Sequence, residues 1–241
     1  DKIDKKFLNF LKKNNIPFYV NAEVEGCDGN KKVKTVSIRK NKNIIIKVKT
    51  SMLCVSGGIN PDIHLFTQSK GLLKWDKDHL TFKPDRIFQK TITLGSVSGN
   101  FSYEKLLVEV EKKLSEFRNL NELEVKFEIN GPEKFQIKEL WETKHEKKSL
   151  WSKSFIDLQN DVTTKDLRQA VNEGFNRIEH LKRFTTNSMG TDQGKISSIN
   201  ALGIVSKILK KDISEVGTTT YRPPYSPVNF SAIAGRSTYE F

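Results

Sequence analysis

Apolar Phe7, Leu8, Phe10 and Leu11 recur at helical spacing among lysines, and the pattern stops at Asn14-Asn15 ahead of Pro17. That predicts a helix over residues 4–14. Three β-branched runs follow, Phe18 to Val24, Val33 to Ile38 and Ile44 to Val48, divided at Cys27-Asp28-Gly29-Asn30 and Lys40-Asn41-Lys42-Asn43. Short runs between turn residues predict an antiparallel meander, with Asp28-Gly29 as the stronger hairpin signal. Met52-Leu53-Cys54-Val55 is apolar on both faces, as a strand inside a parallel sheet is. Gly57-Gly58 and Pro61 end it, and a Gly pair at the carboxyl end of such a strand lets backbone approach a ligand. Residues 91–102 repeat the theme, a short strand and then small residues. An amphipathic helix follows from Tyr103 to Phe117, with Leu106, Leu107, Val110 and Leu114 on one face.

Residues 119–150 are charged and irregular, with an expected edge strand from Glu122 to Ile129, a turn at Asn130-Gly131-Pro132 and a solvated run at Lys144 to Lys148. Helical patterning returns at Thr163 to Gly174. There Thr163 caps, Asp166 completes the box, Leu167, Ala170 and Val171 pack, and Gly174 ends the helix. A second helix is expected from Ile178 to Phe184 and a third from Ser198 to Lys210. Between them lies the polar loop Thr185 to Lys195.

Composition narrows the class. The 241 residues are 36% hydrophobic, 10% aromatic and 29% charged, enough apolar content to form a core. No apolar run approaches the roughly 20 residues that cross a bilayer, so no membrane partner is expected. The net charge of +12 raises nucleic acid as a ligand. The excess is lysine scattered among acids, however, without the interleaved aromatic residues of a stacking platform, so nucleic acid is not expected either. Cys27 and Cys54 are too few for a disulfide framework or a four-thiolate metal site, which makes the cytoplasm the default compartment. A chain opening on Asp1 and running out at Phe241 reads as part of a longer polypeptide.

Chemistry concentrates in the loop between the second and third of these helices. Lys182, Arg183, Thr185, Thr186, Thr191, Gln193, Gly194 and Lys195 bring cations, hydroxyls and a glycine into one helical hairpin. Charge-assisted donors and close backbone approach suit a phosphate, while a solvated basic turn is the plainer alternative. A helix N-terminus behind Gly95 to Asn100 also offers amides to an anion. His180, beside Glu179 and before Leu181, reads as packed or partner-facing. No histidine pair or Ser/His/Asp pattern marks a catalytic centre. Trp75, Trp141 and Trp151 read as core or interface anchors.

Several stretches resemble known families. Val55-Ser56-Gly57-Gly58-Ile59-Asn60-Pro61 with Leu94-Gly95-Ser96-Val97-Ser98-Gly99 is similar to the closing half of a nucleotide domain in two-dinucleotide-fold flavoprotein reductases. Ser96 stands where those proteins carry the acid that holds the ribitol of FAD, and the opening Gly-rich fingerprint is absent. Residues 155–212 resemble the helical 2Fe–2S domain of bacterioferritin-associated ferredoxin. Met189, Gly190, Gln193 and Gly194 keep its frame, but Asp157, Gln159, Asp192 and Ser197 occupy its four cysteine positions, a set that would not hold a cluster.

The wording of Ser56-Gly57-Gly58, Pro61-Asp62-Ile63-His64-Leu65, Phe155 to Val162, Glu173-Gly174-Phe175, Glu179 to Arg183, Thr191 to Lys195 and Val216 to Val228 resembles α subunits of heterotetrameric sarcosine oxidase. The resemblance implies a mixed α/β fold. Residues 1–118 would be the C-terminal part of a Rossmann-like FAD/NAD(P)-binding domain and 119–150 a linker. Residues 151–216 would be a cluster-less ferredoxin-like helical domain, and 217–241 the opening of a folate-binding aminomethyltransferase domain.

It further implies oxidative demethylation of sarcosine with oxygen and tetrahydrofolate, giving glycine, hydrogen peroxide and methylenetetrahydrofolate. FAD in a β subunit would oxidise the amine, and FMN, shared with that subunit and tethered by it, would pass electrons to oxygen. The partners would be β, γ and δ subunits, with folate held beyond residue 241. On this chain the NAD-side positions would be Gly57, Gly58, Gly95, Ser96, Phe101 and Tyr103, with NAD not turned over. The FMN-side positions would be Lys182, Arg183, Thr191, Gln193 and Lys195, with no bond-making residue in the chain. An amine, opine or proline dehydrogenase subunit is the runner-up, against which the folate-domain opening at Tyr221 to Val228 argues. A stand-alone electron-transfer module would call for the absent cysteines.

Overall fold

The computed structural model describes residues 5–41, 43–118, 137–143, 153–223, 226 and 228–234. The fold is mixed α/β, and contacts divide the chain into two compact units. One holds residues 1–58 and 140–150, the other 59–139 and 151–241.

In the first unit, helix α1 spans Lys5–Lys13 and buries Leu11. Asn15 takes a left-handed φ of 54° just past its end, and the Ile16 amide reaches back to the Leu11 carbonyl at 2.9 Å. Such a terminus satisfies carbonyls that the helix leaves open. Strands β1 (Ala22–Asp28), β2 (Thr35–Lys40) and β3 (Ile44–Lys49) form the expected antiparallel meander. Register places Val36 opposite Cys27 and Val48, and Ile38 opposite Val24 and Ile46. One face is therefore apolar, as a period of two requires. Asn41, at φ 51°, turns the second hairpin.

The expected buried strand at Ser51 to Ser56 is not formed. Those residues are irregular, with Met52 70% and Val55 82% exposed. A parallel strand needs neighbours on its edges and cover on both faces. Every sheet among the described residues is instead antiparallel and closed within itself.

The second unit opens with α2 (His64–Gln68) and a hairpin of β4 (Leu72–Asp76) with β5 (Thr81–Arg86). The sequence pattern predicts neither element. Trp75 stands opposite Phe82, their rings 5.0 Å apart and edge to face. The hairpin turn is clipped by Asp76, which accepts from the Asp78 amide at 2.9 Å, contacts His79 Nδ1 at 2.9 Å and pairs with Lys83. Burial pushes the Asp76 carboxyl up, but hydrogen bonds from Lys83, His79 and the two turn amides outweigh it and hold the group well below the usual carboxylate range.

Residues 91–94 are irregular rather than a strand. They lead into a 3₁₀ turn at Gly95–Ser98 and then α3 (Tyr103–Arg118). On α3, Leu106, Leu107 and Val110 are half-buried while Leu114 is exposed.

Strands β6 (Phe155–Asp157) and β7 (Val162–Thr163) then launch α4 (Thr164–Asn172), α5 (Ile178–Thr185), α6 (Ser197–Leu209) and α7 (Ile213–Val216), with α8 (Phe230–Ile233) beyond. Helix α4 lies against α5 and α6. Leu167, Ala170, Leu181, Ala201 and Val205 are wholly buried, and each leucine so buried stabilises by about 2 kcal/mol. The capping box at Thr163 and Asp166 is present as expected. The expected strand Glu122 to Ile129, the turn at 130–132, the solvated run Lys144 to Lys148 and Trp151 lie outside the described residues. No helix among the described residues is long and apolar enough to cross a membrane.

Candidate functional site

The β6–β7 hairpin and the α5–α6 loop form one polar assembly. Asp157 ends β6 and is 3% exposed. Its Oδ1 accepts from the amides of Gln159 at 2.9 Å and Asn160 at 3.2 Å, and its Oδ2 accepts from the Ser188 amide at 2.7 Å. Three donors on one carboxylate tie the hairpin to the loop. Ser188 is a second hub: its Oγ lies 2.9 Å from Asn187 Nδ2, from Ser197 Oγ and from Ser198 Oγ. Gln159 Oε1 accepts from Thr191 Oγ1 at 3.3 Å and from the Asp192 amide at 3.4 Å. Asp192 itself accepts from the amides of Gly194 at 3.1 Å and Ile196 at 3.4 Å.

The positions Asp157, Gln159, Asp192 and Ser197 thus all belong to this assembly, bonding loop amides and hydroxyls. The loop is tightly wound, with left-handed backbone at Thr186, Ser188, Gln193 and Gly194. A Cβ at Gly194 would collide with Ser188 and Ser198, and one at Gly190 with Gln159. Non-glycine residues in that region store strain that the surrounding bonds must offset.

Cations border the loop. Lys182 and Arg183 lie in the last turn of α5, where the carbonyl end of the helix attracts positive charge. Lys182 is half-buried, and its ammonium is pushed below its ordinary value by burial; Glu179 opposes this, and Arg222 and Arg183 add to it. Arg183 is exposed, with Glu179 at 3.8 Å. Of the other residues placed here from sequence, Lys195 Nζ lies 3.8 Å from Asp62 Oδ2, Thr191 donates to Gln159, and Gln193 Oε1 accepts from the Arg222 amide at 3.1 Å.

Behind the loop stands a buried pair that sequence reasoning missed. His64, 2% exposed, lies against Tyr221 with ring centroids 3.4 Å apart and contacts Asp62 Oδ1 through Nδ1 at 2.7 Å. Burial lowers the His64 pKa, against the raising influence of Asp62 and with a lowering one from Lys195. Burial likewise raises Tyr221, which bonds Ser198 and so joins the Ser188 hub. Arg222 was missed as well. The contacts of both run to residues far away in the chain, so no local pattern could have revealed them.

The nucleotide-side residues are placed differently. Gly57 and Gly58 end the first unit, exposed, with Gly58 at φ 110°. In the second unit Gly95 is buried at φ 67°, and its amide donates to Glu109 Oε2 at 3.1 Å, which also takes Asn100 Nδ2 at 3.4 Å. Ser96 is exposed, Phe101 lies 5.3 Å from the His79 ring, and Tyr103 is 73% exposed. His180 is exposed.

Residues 151–236 match the family model of the sarcosine oxidase A3 domain. The sarcosine oxidase subunit alpha of Rhizobium meliloti (strain 1021) is 32% identical over 225 residues, 90% of this chain and 22% of that protein. That of Corynebacterium sp. (strain P-1) is 30% identical over 198 residues, 79% of this chain and 20% of that protein. The chain therefore spans about a fifth of the length of the curated relatives it matches. A crystal structure of L-proline dehydrogenase from P. horikoshii shares the fold at a TM-score of 0.59 and 21% identity, covering 95% of this chain and 48% of that one. By sequence over most of its length, the chain belongs to the sarcosine oxidase α-subunit family and carries its A3 domain at residues 151–236.

Proposed function

We propose that this chain is a supporting part of a flavin-dependent sarcosine oxidase, an oxidoreductase acting on the CH–NH bond, and that it holds the phosphate of FMN at the α5–α6 loop. The family membership supports the enzyme class. The observation that carries the site is Lys182, a half-buried ammonium at the end of α5 beside Arg183. A cation stripped of water gains from an anionic partner, and a phosphate monoester supplies about −1.5 to −2 charges at neutral pH. The residues present fit that group through Lys182 and Arg183. Thr191, Gln193 and Lys195, engaged with Gln159, Arg222 and Asp62, hold the loop in shape around it.

When bound, FMN would supply the passage of electrons to oxygen. The chain's own residues bind and orient it, and none breaks or makes a bond. The β, γ and δ subunits are the proposed partners and the cytoplasm the proposed compartment. FAD in the β subunit and tetrahydrofolate beyond residue 241 complete the proposed set of cofactors.

NAD at Gly57, Gly58, Gly95, Ser96, Phe101 and Tyr103 rests on resemblance alone. The Gly95 amide is already given to Glu109, so a pyrophosphate oxygen would have to displace a carboxylate there. The bonding at Gly95 does not fit that cofactor.

Replacing Lys182 and Arg183 together by Ala in the full-length enzyme is expected to strip FMN and spare FAD. FMN left on the protein after acid extraction of FAD checks this, and full FMN occupancy would end the reading.

A further inference from the structure

The A3 domain match runs to residue 236, yet residues after α7 are not simply a tail. Three contacts strap 219–222 onto the loop assembly. The Thr220 amide donates to Glu179 Oε1 at 3.3 Å, the Arg222 amide donates to Gln193 Oε1 at 3.1 Å, and between them Tyr221 is buried against His64. One bond therefore fixes the strap to α5 and the other fixes it to the α5–α6 loop. Their effect is to hold the Arg222 backbone against the α5–α6 loop, within electrostatic reach of Lys182.

Lys182, Arg183 and Arg222 then act on one another, with Glu179 3.8 Å from Arg183 and opposing them at Lys182. Like charges brought together by a folded backbone cost stability unless an anion joins them. A phosphate monoester dianion is such an anion. Arginine is the side chain suited to it, since its planar fork gives two parallel hydrogen bonds to one phosphate where lysine gives a point charge. Behind burial, the positive charges of Arg222 and Arg183 both lower the Lys182 pKa.

We propose that Arg222 is the third phosphate-binding cation of this site, delivered by the 219–222 strap to lie with Lys182 and Arg183. The inference rests on the phosphate reading of Lys182 and Arg183 and extends it to a segment that the sequence assigned to the next domain.

The test uses the full-length protein freed of flavin and inorganic phosphate as the probe, titrated calorimetrically. Arg222→Gln and Lys182→Gln are each expected to weaken phosphate binding about tenfold, the effect of losing one charge-assisted contact. Lys165→Gln, on exposed α4 surface, should leave it unchanged. Arg222→Lys should recover part of the loss, and it stands in if the Gln variant does not fold.

A second readout needs no ligand. The Lys182 amine, followed by NMR after ¹³C reductive methylation, should titrate at higher pH in Arg222→Gln because a like charge is gone. If Arg222→Gln binds phosphate like wild type while Lys182→Gln is weakened, Arg222 is not part of the site, and the Lys182 and Arg183 reading stands. An unmoved Lys182 titration would equally overturn the placement. If neither variant changes binding, or wild type binds no phosphate, both readings fall.

Discussion

Asp157 shows how much one side chain can organise. It is 3% exposed and accepts from the Gln159, Asn160 and Ser188 amides. Asp157→Ala would leave the buried Ser188 amide without its partner, costing about 1–3 kcal/mol, whereas Gln159 and Asn160 are exposed and can turn to water. A loss of about 1–3 kcal/mol is expected in urea unfolding, with Asp157→Asn intermediate; an unchanged midpoint in the Ala variant would contradict the hub.

His64 adds a pH dependence. Its pKa is lowered in the fold from 6.5, so the unfolded chain takes up the proton first as acid is added. Stability is then fully present above about 6.5 and falls as the pH drops toward the lowered value. His64→Phe keeps a ring against Tyr221 and should flatten that acid limb in thermal melts between pH 5 and 7; a parallel profile would exclude His64 as its source. The sequence marked Asp157 only as a former cysteine position and His64 only as a letter of a family stretch, since the groups that define both come from elsewhere in the chain.

Elements were legible where their signals are local. Helices α1, α3, α4, α5 and α6 follow apolar periods of 3.6 with recognisable ends, and the α4 capping box was readable letter by letter. Thr163 donates from both its amide and its hydroxyl to Asp166 Oδ2, at 2.8 and 2.7 Å. Thr163→Ala should cost about 1 kcal/mol, measurable as a lower melting midpoint. Thr163→Ser should cost less, and equal losses in the two variants would deny the cap.

The β4–β5 hairpin was illegible for a physical reason. Pro84 sits inside β5, and proline in a run argues against a strand unless the strand is at an edge. Met52 to Val55 failed in the opposite sense. Its composition suits a buried strand, but burial depends on neighbours that composition cannot supply.

At the scale of the whole chain, the helical core of the A3 stretch draws on residues from far upstream. His64 lies on Tyr221, Lys77 reaches Asp212 at 3.9 Å, and Lys207 reaches Glu139 at 3.2 Å. The last two are exposed pairs and contribute little; the buried ring contact contributes more. A polypeptide beginning at residue 151 is therefore expected to melt lower than one beginning at 59, by several degrees for each kcal/mol lost. Identical midpoints would show that the helices need nothing from residues 59–150. That ring contact also joins partners roughly 150 positions apart in the chain. A ribosome adding 5–20 residues per second emits Tyr221 about ten seconds or more after His64. Through that interval the imidazole lacks its aromatic cover, and chaperones have a window on it that closes when Tyr221 arrives.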